Sequence, residues 1–60
     1  MDQRERDQMR REIARLRSRQ ADKRAILTRL DVTKDKRQID ELVAQIAGLE
    51  GEITSIEMKL

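Results

Sequence analysis

The sequence predicts an all-α chain, a two-helix antiparallel coiled-coil hairpin that dimerises into a four-helix bundle, with residues 1–60 forming that one unit. Three observations carry this expectation. Proline and aromatic residues are absent and 43% of the chain is charged, a composition of long amphipathic helices rather than of a compact globule. Apolar residues recur at alternating steps of three and four in both halves of the chain. The two stripes so formed are out of phase with one another, which a single straight helix cannot accommodate.

The first helix is expected over residues 3–30. Its seam is Met9, Ile13, Leu16, Gln20, Lys23, Leu27 and Leu30, a spacing that brings side chains to one helix face. Gln20 and Lys23 interrupt it. A polar seam residue can fix register at some cost in stability. The simpler expectation is that Lys23 lays its stem along the apolar surface and keeps its ammonium in water, while Gln20 tilts to the edge.

A turn is expected at residues 31–36, within DVTKDKRQ. Leu30 and Ile39 are nine positions apart, and at about 100° per residue they would lie on opposite sides of a continuous helix. A reversal removes the conflict. Asp31, Val32, Thr33 and Asp35 are poor helix formers, and Asp35 followed by Gln38 makes an N-cap and capping-box pattern for the next helix.

The second helix is expected over residues 37–60, with the seam Ile39, Leu42, Ile46, Leu49, Ile53, Ile56 and Leu60. Folded back on the first, it sets Leu30 against Ile39, Leu27 against Leu42, Leu16 against Ile53, Ile13 against Ile56 and Met9 against Leu60, while Lys23 and Gln20 face Ile46 and Leu49. The residues flanking this register then fall into four pairs of opposite sign: Arg10 with Glu57, Arg17 with Glu50, Arg19 with Glu52, and Glu12 with Lys59. A parallel dimer would instead stack like charges. The same antiparallel pairing is open to two chains that exchange helices.

Charge follows the same division. Residues 1–30 carry ten Lys or Arg against five Asp or Glu, a balance of +5, and residues 31–60 carry four against seven, a balance of −3. The halves attract.

Cysteine and histidine are both absent, which removes disulfides, thiolate and imidazole metal sites and imidazole bases. No enzyme, cofactor or small-molecule substrate is expected. MDQRERDQMRRE carries Asp2, Glu5, Asp7 and Glu12 without an apolar run, unlike a secretory or transit peptide, so an intracellular, by default cytoplasmic, location is expected. No apolar stretch is long enough to span a membrane.

What remains is surface. Outward positions hold small residues: Ala14, Ser18, Ala21 and Ala25 on the first helix, Ala44, Ala47, Gly48, Gly51 and Ser55 on the second. Glycine inside a helix costs about 1 kcal/mol relative to alanine, and close approach of another backbone is one reason to keep it. The sequence therefore points to a protein interaction and assembly module whose partner is a second copy or another helical protein. The alternative is a small nucleic-acid binder that uses its Arg-rich first helix, with Arg11, Arg15 and Arg29 as contacts.

Overall fold

The computed structural model describes residues 2–60. Two helices, α1 (Gln3–Leu27) and α2 (Lys36–Glu57), pack against each other as a hairpin, and the described residues include no strand. The result is a rod of 49 × 15 × 9 Å, a single layer two helices wide.

The start of α1 is capped by Asp2, whose carboxylate accepts the Glu5 N–H at 2.9 Å. Such a cap contributes about 1 kcal/mol. The helix ends at Leu27, three residues before the expected boundary. The Arg29 and Leu30 N–H groups reach only to the carbonyls of Ile26 and Leu27, three residues back, and the Thr28 hydroxyl donates to the Ala25 carbonyl. This tightening is how a helix closes its last carbonyls.

The connection, residues 28–35, is held by two aspartates. Asp31 Oδ1 accepts the N–H groups of Thr33 at 2.8 Å and Lys34 at 3.0 Å, while Asp35 Oδ2 accepts the Asp31 N–H at 2.9 Å. The Asp35 N–H closes the turn on the Asp31 carbonyl. Capping thus falls one turn earlier than the sequence pattern suggests. Asp35 makes no side-chain cap to α2; its Oδ2 turns back to the Asp31 N–H, and its backbone (φ −108°, ψ 25°) is not the extended one of a capping residue.

At the other end, α2 stops at Glu57 and residues 58–60 form a turn with three-back hydrogen bonds from Lys59 and Leu60. Leu60 consequently leaves the seam and is 47% exposed.

Ile13, Leu16, Leu42 and Ile53 are the buried apolar side chains, and Leu49 and Ile56 pack onto the cluster of Ile13, Leu16 and Ile53. Met9, Leu27, Leu30, Ile39 and Ile46 are half-buried. Gln20 does not tilt to the edge. It is 3% exposed, and its Nε2 donates to the Ile46 carbonyl at 3.1 Å and to Glu50 Oε2 at 2.9 Å. Lys23, half-buried, donates to Gln45 Oε1 at 2.8 Å.

The ion pairs differ from the four expected. Arg17 pairs with Glu57 at 3.0 Å rather than with Glu50, which Gln20 occupies. Arg10 turns to Asp7 at 3.7 Å, and Arg15 Nη2 donates to both oxygens of Glu12. Neither Arg19 with Glu52 nor Glu12 with Lys59 is an ion pair among the described residues. The reason is the direction of helical side chains, which lean toward their own N-terminus. In an antiparallel pair Arg17 leans toward the open end and Glu57 toward the tip, so they converge. Arg17 and Glu50 lean apart.

Candidate interaction surface

The seam leaves the opposite faces of both helices to solvent. On α2 the outward positions Ala44, Ala47, Gly48, Gly51 and Ser55 are all exposed, with Val43 at 53% exposure and Met58 at 83%. No charge interrupts this line; Glu50 and Glu52 stand at its two sides. On α1 the small residues Ala14, Ser18, Ala21 and Ala25 are also exposed, but Arg11, Arg15 and Asp22 lie among them. The two backs are therefore chemically different, one bare and the other charged.

The glycines on the bare face have no explanation inside the hairpin. Neither Gly48 nor Gly51 has a positive φ, and a Cβ built on either meets nothing within 4 Å. Alanine would fit at both positions with the helix unchanged.

Where α1 runs past the end of α2, an open groove of about 690 Å³ has Met9 and Ile56 on its floor and Glu5, Gln8, Arg11, Glu12, Arg15 and Lys59 around it. Mixed charge at the rim gives it no preference for an ion of one sign. Of the three arginines considered as nucleic-acid contacts, Arg15 is held by Glu12, and Arg29 sits beyond the end of α1. All three are exposed.

At the tip, the backbone N–H of Lys34, and then that of Thr33, holds the Asp31 carboxyl below its usual range. Those bonds stabilise the ionised form. No group of three or more carboxylates among the described residues could hold a metal ion, and no helix there is long and apolar enough to cross a membrane.

Compared with protein-family models, curated proteins and solved structures, the chain matches none of them.

Proposed function

We propose that the protein is a non-enzymatic assembly module, a coiled-coil hairpin that self-associates through the back of α2 into a four-helix assembly. The observation that carries this reading is the uncharged outward face from Val43 to Met58, with two glycines that the hairpin itself does not need. A core of four buried apolar side chains among the described residues supports it as well, since so short a chain hides little of its surface unless a partner completes the core.

Two copies placed back to back and antiparallel would set Gly51 against its own copy. Ala44 would then receive Met58 of the other chain, a large side chain over a small one, and Glu41 would approach Lys59. Small residues let helix axes come close, and bundles are built from such faces.

Sedimentation equilibrium tests the reading. The wild-type chain is expected at twice its 7.1 kDa mass, Gly51→Phe at the monomer mass with its helical circular dichroism retained, and Ala21→Phe on the charged face at the dimer mass. A wild-type monomer at all concentrations overturns self-association. Loss of the dimer in Ala21→Phe but not in Gly51→Phe overturns the choice of face.

A further inference from the structure

We infer that Gln20 is the residue that fixes the direction and register in which α1 and α2 pair. This inference does not depend on which outer face meets a partner, because it concerns the seam alone.

A glutamine with 3% exposure in an apolar seam is a liability unless its polar atoms are answered. Here both hydrogens of Nε2 are used. One goes to the Ile46 carbonyl at 3.1 Å and the other to Glu50 Oε2 at 2.9 Å. A carbonyl and a carboxylate are acceptors only, so the orientation of the amide is settled by its partners. Ile46 and Glu50 are four residues apart, one turn above the other on the same side of α2, and a primary amide spans them.

Lys23 completes the layer from the other side. Its Nζ donates to Gln45 at 2.8 Å, so that two α1 side chains straddle Ile46, one holding each flank of α2. Sliding either helix breaks both holds.

The α2 sequence offers few substitutes. The equivalent carbonyl one heptad toward the tip belongs to Ile39, where the residue four further on is Val43, with no acceptor. One heptad toward the open end, Ile53 is followed by Glu57, but this register gives up the Arg17–Glu57 pair and would strip Ile39 and Leu42 of their α1 neighbours. A parallel pairing of two α1 helices would set Gln20 on Gln20 and Lys23 beside Lys23. The buried amide therefore finds a full set of acceptors in the native register, and a leucine in its place would remove that hydrogen-bond penalty from the slid registers. Buried polar residues in coiled coils act in this way, trading stability for uniqueness.

The test measures register directly. Spin labels on Ala14→Cys and Thr54→Cys, both exposed, are read by double electron–electron resonance in labelled chain diluted with unlabelled chain. The parent is expected to give one narrow, short distance. Gln20→Leu is expected to add a second population at longer distance, from helices that have slid by about 10 Å, the rise of one heptad, with a melting temperature no lower than the parent's. Glu50→Gln, which keeps an acceptor, is expected to retain the single distance, and Glu50→Leu to lose it. A single unshifted distance in Gln20→Leu overturns the inference, as does equal broadening in the two Glu50 variants or a parent without one dominant short distance.

Discussion

The two halves of the seam, divided by the Gln20 layer, are held together by different means. Toward the open end, Ile13, Leu16 and Ile53 form a dry cluster with Leu49 and Ile56 against it. Toward the tip, Leu27, Leu30 and Ile39 are only half-buried, and Leu42 alone is buried, while the turn supplies a set of local hydrogen bonds centred on Asp31 and Asp35. One half is stabilised by apolar burial, and the other by a short connection that keeps its helices adjacent. A thin hairpin can leave one half weakly packed when the chain reverses there, because the loop closed by the turn is short and costs little entropy.

Truncations should separate the halves most clearly. Ile53 is 1% exposed, and removing such a side chain costs about 2–5 kcal/mol. That is comparable to everything a core of this size supplies, so Ile53→Ala is expected to abolish most of the helical signal at 25 °C. Leu30→Ala, at a half-buried position near the tip, is expected to cost about 1–2 kcal/mol, in proportion to the smaller area it hides. Thermal melts followed by circular dichroism compare them. Equal losses would mean that the tip carries as much packing as the open end.

The halves also differ in how readily the sequence discloses them. The three-and-four alternation is a property of helix geometry, and every seam residue from Met9 to Ile56 has reduced exposure. The phase break between Leu30 and Ile39 discloses the reversal for the same reason. Helix ends are less legible. Leu60 continues the pattern in sequence, yet the last turn tightens to three-back hydrogen bonds and Leu60 stays half exposed. The cap of α2 is not legible, because an Asp followed three residues later by Gln is a common cap pattern, whereas the bonds form between Asp31 and Asp35. Gln20 resists reading altogether, since a seam glutamine can lie at the edge or in the centre depending on whether acceptors stand opposite. The outward small residues are legible as a surface, but side chains without charge or functional groups say little about what meets them.

Ion pairing sharpens the comparison on a smaller scale. Arg17 and Glu57 are exposed, so their coupling should be about 0.2–1 kcal/mol and should shrink with salt. A double-mutant cycle on Arg17 and Glu57, with alanine at each, is expected to yield coupling in that range. The corresponding cycle on Arg17 and Glu50 is expected to yield none, because those side chains lean apart. Coupling to Glu50 instead would mean that Arg17 reaches toward the tip and competes with Gln20 for that carboxylate.

The smallest effect belongs to the tip and depends on pH. Asp31 is exposed, and its carboxyl is held below the usual value by the N–H groups of Lys34 and Thr33. A carboxyl whose pKa is lowered by folding stabilises the folded state above its unfolded pKa, about 3.9; that contribution is lost as pH falls through the lower folded value. The turn should therefore loosen only below about pH 4, with the amide resonances of Thr33 and Lys34 shifting together in an NMR titration while those around Ile53 stay fixed. Asp31→Asn keeps an oxygen that accepts both N–H groups, and should hold the turn while removing the pH dependence. If the Ile53 region moved in step with the tip, the two halves would be one cooperative unit, and the division at Gln20 would mark a change in chemistry without a change in stability.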